Sequence, residues 1–242
     1  MDKKEQVVKE TLETAYSESL VQFLSMKRYQ KEPYISLVED VLIKREDISS
    51  LLEIARKVKG VHLDKIGKVV LQSKSISYML RFSDIEHVDW KEMEQGIFDT
   101  IEKKIQKQTI TTEDFQLMTI FCKNHIEADV ERATSLLLQT NDFVAMLCFV
   151  TNVRNARPEL FEEKILEQKN MELMYTWKET MIFVSPQFLH ELRDQEQKRT
   201  ENVKQIIEVI QDPEFYQIVS EQAKLLEEKR KYLNKFSTSN RK

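Results

Sequence analysis

A pair of large apolar residues, three positions apart, recurs along this chain at nearly constant spacing. The pairs, in chain order, are Leu20/Phe23, Leu51/Ile54, Met79/Phe82, Met118/Phe121, Met146/Phe149 and Met174/Trp177. Successive pairs begin 31, 28, 39, 28 and 28 residues apart. A period in the range of about 20–50 residues is typical of small structural units that cannot bury their apolar face alone and therefore stack on one another.

Each period contains a second apolar stretch, which begins 15 or 16 residues after the second member of the pair. Examples are Val69/Val70, Ile97/Phe98, Leu136/Leu137, Ile165 and Leu192. Spacings of three and four within each stretch mark one face of an α-helix. The 242 residues include only 3 Gly and 4 Pro, too few for the frequent turns of a sheet protein. The sequence therefore predicts an all-α fold, a right-handed stack of about six to seven short helical hairpins.

This pattern resembles tetratricopeptide and HEAT arrays in kind, as another α-solenoid. The resemblance covers Ser19 to about Leu226 and rests on apolar spacing. The Trp, Leu-Gly and Tyr signature of the tetratricopeptide unit is missing. The resemblance therefore implies an architecture and no functional residues.

Four segments follow from the period. Residues 1–18 read as an N-terminal helical cap, 19–199 as the hairpin repeats, 200–236 as a C-terminal repeat or association segment, and 237–242 as a disordered tail. The longest step contains an insertion near Thr100–Asp114. The insertion predicts an extended second helix, then a loop capped at Thr111 or Thr112.

Helix starts are predicted where a capping side chain precedes an apolar stretch. The predicted caps are Ser50, Asp64, Asp89, Asp129 and Ser185, and Pro158 is placed in a first turn. The anchors Phe23, Ile54, Phe82, Phe121, Phe149 and Trp177 are expected to be buried. Cys122 and Cys148 fall in apolar stretches and are expected to be reduced core residues.

Motifs that carry chemistry are absent from the sequence. Gly60, Gly67 and Gly96 are isolated, so no glycine-rich phosphate loop is formed. Cys122 and His125 have a ligand-like separation, but no second pair completes the four donors of a structural zinc site. We therefore predict no cofactor, no metal and no catalytic residue. The chain is predicted not to be an enzyme.

A protein partner is the expected ligand, because helical arrays form extended binding surfaces. His62, His87 and His125 fall near successive turns, and Trp90 with Arg81 supplies residue types that are common in interfaces. These five residues are the predicted partner contacts. The expected function is that of a non-catalytic adaptor, inhibitor or regulator.

Two other functions stay open. One is a nucleic-acid-binding helical repeat, although the net charge of -4 disfavours it. The other is a peptide-sensing regulator. The N-terminus lacks an apolar signal core and no apolar run is long enough to cross a bilayer, which predicts a cytoplasmic protein without a membrane partner. Abundant Lys, Ile and Asn favour a bacterial or phage source.

The C-terminal segment has more apolar residues than one short repeat face needs. They include Val203, Ile206, Ile207, Ile210, Phe215, Tyr216 and Val219. A terminal repeat has no neighbour to cover its outer face. The sequence therefore predicts association here, with the partner or as a homodimer. The alternative is that the segment packs back on the preceding repeat.

Overall fold

The computed structural model describes residues 3–211, with the side chains of residues 7–208. This part of the chain is all-α and contains thirteen α-helices, one 3-10 helix and no β-strand. The α-helices are α1 Lys3–Thr14, α2 Ser17–Ser25, α3 Tyr34–Lys44, α4 Ile48–Lys57, α5 Leu63–Gln72, α6 Ile76–Ser83, α7 Trp90–Gln106, α8 Thr112–Asn124, α9 Val130–Leu138, α10 Phe143–Asn152, α11 Pro158–Glu167, α12 Met171–Thr180 and α13 Pro186–Gln211, and the 3-10 helix is Lys27–Tyr29.

The six predicted apolar pairs lie on six alternate helices, which we call the A helices: α2, α4, α6, α8, α10 and α12. The first member of every pair is fully buried, and five of the second members are at most 2 % exposed. Phe23 is only half-buried, so it is less buried than predicted. The first A helix has only one A neighbour, α4, and Phe23 stacks instead on Tyr29 with 4.1 Å between ring centroids.

We call the helix that follows each A helix a B helix; the B helices are α3, α5, α7, α9, α11 and α13. Their predicted apolar residues are buried as expected, apart from the half-buried Val69. The predicted insertion is also confirmed. Helix α7 is 17 residues long, and the loop after it ends at Thr111 in a capping box with Asp114.

Most predicted helix starts are confirmed. The side chains of Asp89, Asp129 and Ser185 accept backbone N–H groups in the first turns of α7, α9 and α13. Pro158 is the first residue of α11. These side chains satisfy N–H groups that have no partner within the helix.

Two predicted caps are wrong. Helix α4 begins before Ser50, because the carboxylate of Asp47 accepts the Ser50 N–H at 3.1 Å and Ile48 is already buried. Helix α5 begins at Leu63, so Asp64 lies inside its first turn. The N-cap of α5 is His62, whose own N–H is satisfied by a carboxylate from another helix.

Four of the five turns from a B helix to the next A helix have the same backbone conformation, and the α9–α10 turn is the exception. Glu46, Lys74, Gln108 and Lys169 each follow a B helix with a φ of 50° to 56°. The N–H of each donates to a carbonyl three residues earlier. A left-handed residue at this position closes the helix and reverses the chain. In the first unit, α4, α6, α8 and α10 each pack on the B helix before it.

The chain divides into two compact units, residues 1–164 and 165–242. In the first unit each A helix packs on the next, from α2 on α4 to α8 on α10, and α7 packs on α9. In the second unit α12 packs on α13, which has 26 residues. Helix α13 continues without a break through residue 200, where the sequence analysis starts the C-terminal segment.

Candidate interaction surface

The outward positions of the A helices can be compared directly, because the period relates them. One outer position is occupied in α4, α6, α8 and α10 by Ser49, Ser77, Gln116 and Val144. A second is occupied in the same helices by Glu53, Arg81, Ile120 and Cys148. Both series change from polar to apolar along the first unit.

On α4 and α6 the outer residues are polar, and neighbouring basic side chains of α4 bond to them. Lys57 Nζ lies 2.6 Å from Glu53 Oε1, and Arg56 Nη2 donates to the carbonyl of Arg81 at 2.9 Å. The half-buried Arg81 thus contacts α4 through its backbone. This region is an ordinary solvated helix surface.

On α8 and α10 the outer residues are mostly apolar, with Gln116 on α8 as the polar exception. Ile120 is 44 % exposed and Val144 is 66 % exposed, and Leu147 and Cys148 are half-buried. Positions 144, 147 and 148 lie on one side of α10, opposite the buried Met146 and Phe149. Helix α10 is therefore apolar on its outward side as well as its inward side. We call Ile120, Val144, Leu147 and Cys148 the apolar outer face.

Two exposed cations lie toward one end of the apolar outer face. Lys123 lies in the last turn of α8, and Arg154 follows α10 by two residues. A cation at the C-terminus of a helix is favoured by the helix dipole. Together they give the apolar outer face a positive edge, which favours a partner surface with acidic residues beside its apolar ones.

The structure brings together two of the predicted partner contacts, Trp90 and His125. Their rings stack with 4.7 Å between centroids, and Lys91 Nζ lies 4.2 Å from the Trp90 ring centre. The His125 side chain is only 12 % exposed, and its Nε2 is 3.2 Å from the hydroxyl oxygen of Ser83. The cluster joins α6, α7 and α8.

Burial lowers the pKa of His125, with Lys91 adding to the effect and Asp84 and Glu94 opposing it. A buried imidazole without a close carboxylate is favoured in its neutral form. Asp84 Oδ1 is 4.0 Å from Nε2, too far for a strong ion pair. His125 is therefore better suited to packing than to binding an anionic partner.

His62 is held by a buried carboxylate. The Glu39 side chain is fully buried; it accepts the backbone N–H of His62 at 2.8 Å and lies 2.9 Å from His62 Nδ1. Lys65 Nζ is 3.6 Å away. Glu94 has the same role in the next hairpin: its carboxylate accepts the backbone N–H of Asp129, the N-cap of α9, at 2.7 Å. These carboxylates fix the starts of the next B helices.

His87 stands apart from the other histidines. It is exposed and has a φ of 66°, in the left-handed region. It lines an open cleft of about 820 Å³ between the α4–α5 and α6–α7 turns. Lys57 and Lys59 line one side of this cleft, and Asp84 and Glu86 line the other. The three histidines thus lie at successive turns, as predicted, but in three different environments.

The two cysteines differ in environment. Cys122 is buried as predicted, and burial raises the pKa of its thiol to about 12, which keeps it protonated and unreactive. Cys148 is only half-buried, because it lies on the outer side of α10, so its assignment to the core is wrong. Within residues 3–211, no group of three or more His, Cys, Asp or Glu side chains is arranged to hold a metal ion.

Helix α13 carries the described part of the predicted association segment. Val203, Ile206 and Ile207 are 48 %, 57 % and 46 % exposed. Ile210 lies on α13 with its side chain outside the described part, and Phe215, Tyr216 and Val219 lie outside the described residues altogether. The exposed three form one apolar band on the helix.

Two exposed features were missed by the sequence analysis. Ile182 and Phe183, in the α12–α13 turn, are 89 % and 85 % exposed. Val144 is exposed because α10 buries its other side. The exposure of Val144 could have been predicted from the sequence of α10, which is apolar on all sides. The exposure of the turn could have been predicted from the apolar run Met181–Val184, which lies outside the anchor pattern.

Comparison of the chain with protein-family models, curated proteins and solved structures finds no match. Among the helices described, none combines the length and apolarity required to cross a membrane.

Proposed function

We propose that this chain is a non-catalytic interaction protein whose first unit is a right-handed α-solenoid of helical hairpins. A protein partner docks on the apolar outer face of α8 and α10. The architecture is supported by the packing of each A helix on the next in the first unit. Stacks of this kind present a continuous surface to a partner.

The observation that carries the proposal is the change of chemistry at equivalent positions. Ser49 and Ser77 are replaced by Val144 at the same place on α10, and Glu53 and Arg81 by Cys148. Nothing in the repeat itself requires this change, since α4 and α6 fold with polar residues there. Exposed apolar patches on otherwise polar surfaces usually mark contact sites.

The partner's chemistry follows from the surroundings of the apolar outer face. Apolar side chains of the partner cover Ile120, Val144 and Leu147, and acidic residues stand opposite Lys123 and Arg154. The apolar contact supplies most of the affinity, and the charges supply orientation and association rate. The protein then acts as an adaptor, inhibitor or regulator through occupancy alone.

A comparison of two substitutions at equivalent positions tests the proposal. Tagged wild-type protein, Val144→Glu and Ser49→Glu are used as baits in extracts of the source cells, with quantitative mass spectrometry. We expect a protein that is retained by the wild type and by Ser49→Glu and is reduced at least about tenfold by Val144→Glu, which corresponds to about 1.4 kcal/mol. Circular dichroism checks that both variants fold.

Equal recovery of every protein by the two variants would contradict the proposed face. Capture that depends on nucleic acid, and disappears after nuclease treatment, would instead support the nucleic-acid alternative.

A further inference from the structure

One edge of the first unit carries an excess of positive charge, although the whole chain has a net charge of -4. The α2–α3 turn (residues 26–33) and the α4–α5 turn with the end of α4 (residues 56–62) contain six cations and one acid, a net charge of +5 with His neutral. The cations are Lys27, Arg28, Lys31, Arg56, Lys57 and Lys59, and the acid is Glu32. The α6–α7 turn (residues 84–89), across the open cleft, contains three acids and no Lys or Arg. The positive charge is therefore confined to two turns.

The two positive turns lie side by side. Helix α4 packs on both α2 and α3, and Glu32 Oε1 of the first turn is 3.6 Å from His62 Nε2 at the end of the second. Neighbouring helices are about 8–10 Å apart, which is close to the distance over which physiological salt screens a charge. An extended anion on this edge is therefore attracted by both turns at once.

Four of the six cations are not used inside the protein. Arg56 donates to the carbonyl of Arg81, and Lys57 pairs with Glu53. Among the side chains of residues 7–208, the other four form no ion pair, and all four are exposed: Lys27, Arg28, Lys31 and Lys59. We call these four residues the basic edge. Their mutual repulsion is relieved when an anionic ligand binds.

An aromatic cluster lies within the basic edge. Phe23, Tyr29 and Tyr34 are half-buried, and their three rings contact one another. The guanidinium carbon of Arg28 lies 4.7 Å from the centre of the Tyr29 ring, and Met26 beside them is 48 % exposed. An acidic peptide needs only the cations. A single-stranded nucleic acid uses cations for its phosphates and aromatic or guanidinium planes for its bases, so it uses both parts of this surface.

We propose that the basic edge binds a short segment of single-stranded nucleic acid, RNA or DNA. The three lysines contact its phosphates. The Arg28 guanidinium and the rings of Tyr29 and Tyr34 form the surface on which a base packs. The site belongs to α2–α5 and is separate from the apolar outer face of α8 and α10, so the inference does not rest on the proposed function.

Fluorescence anisotropy of the full-length chain with labelled oligouridylate and oligothymidylate, each of about 15 nucleotides, tests the proposal. Both should bind, because the proposed contacts are to phosphates and bases. The logarithm of the association constant should fall against the logarithm of salt concentration with a slope of about −3, since about four phosphates are neutralised and each contributes about 0.7. The triple variant Lys27→Gln, Lys31→Gln and Lys59→Gln should bind at least about tenfold more weakly, with a slope of about −1.

Two matched controls locate the site. Lys68→Gln, Lys107→Gln and Lys178→Gln together remove the same charge from exposed lysines elsewhere, so the slope should stay at about −3. Tyr29→Leu keeps an apolar side chain but removes the ring, and should weaken binding at least about fivefold. Tyr78→Leu, at another half-buried tyrosine, should leave binding unchanged. Circular dichroism checks that every variant folds.

Three outcomes would overturn the proposal. Failure of both oligonucleotides to bind at low salt would show that the basic edge is not a nucleic-acid site. Equal weakening by the two triple variants would show that binding does not use this edge. Poly-glutamate that binds as tightly as the oligonucleotides, together with no effect of Tyr29→Leu, would assign the basic edge to an acidic protein segment.

Discussion

At the scale of single residues, His125 has the environment with the clearest pH consequence. Its imidazole stacks on Trp90 and is mostly buried, and burial lowers its pKa below the ordinary value of 6.5. The unfolded chain therefore binds a proton at a pH where the folded chain does not. The stabilising effect is complete above about pH 6.5 and is lost as the pH falls through that value toward the folded pKa.

Urea unfolding at about pH 7.5 and about pH 5.5 should reveal this linkage. The free energy of unfolding of the wild type should fall between the two, and His125→Gln should show a smaller fall. His87→Gln is the matched control, because the His87 side chain is 82 % exposed. A fall of equal size in all three proteins would rule out His125 as its source.

Glu39 is the second informative residue, because its fully buried carboxylate serves two groups of His62. Glu39→Ala should lower the free energy of unfolding by about 1–3 kcal/mol, since the partly buried N–H of His62 loses its acceptor. Glu39→Gln keeps one acceptor oxygen and should cost less. Glu53→Ala, at an exposed ion pair, should change stability by no more than about 0.5 kcal/mol. Equal losses for Glu39→Ala and Glu53→Ala would contradict this role.

At the scale of the helix, the start of α4 shows where sequence reasoning falls short. The spacing Ser50 to Glu53 satisfies a capping-box pattern, but Asp47 holds the cap and Ser50 donates its hydroxyl to that carboxylate at 2.8 Å. The position of the N-cap depends on which residues of the first turn are buried. Ile48 is buried, so α4 begins at Ile48 and its N-cap is Asp47. Asp47→Ala should cost about 0.5–2 kcal/mol and Ser50→Ala clearly less, in thermal or urea unfolding. The reverse order would restore Ser50 as the cap.

The anchor pairs, in contrast, were predictable because burial is periodic and the period is local. Phe121 is fully buried, whereas Phe23 is half-buried beside Tyr29. Phe121→Ala should cost about 3–5 kcal/mol of unfolding free energy. Phe23→Ala should cost less, because less area is lost from the core. Comparable losses in urea unfolding would show that the first A helix is packed as tightly as α8.

At the scale of the whole molecule, the period identified the helices but not their long-range partners. Two contacts illustrate this: Glu39 of α3 with His62 at the start of α5, and Trp90 with His125. A spacing of three and four residues predicts a helix face, but it does not predict which residues of other helices that face contacts. The exposure of Val144 was hidden for a related reason. Apolarity marks a residue as suited to contact, and only the structure separates contact within the chain from contact outside it.

The stacked arrangement itself can be tested by removing the end of the chain. In a stack, each hairpin depends mainly on its neighbours, so a chain that ends at Lys169, before the N-cap of α12, should stay folded. It should keep the helical circular dichroism signal per residue of α1–α11 and a cooperative urea transition. The division of the chain at residue 164 into two compact units favours this result. Loss of most of the helical signal, or of the cooperative transition, would show instead that the first unit needs the second in order to fold, as a single globular core would.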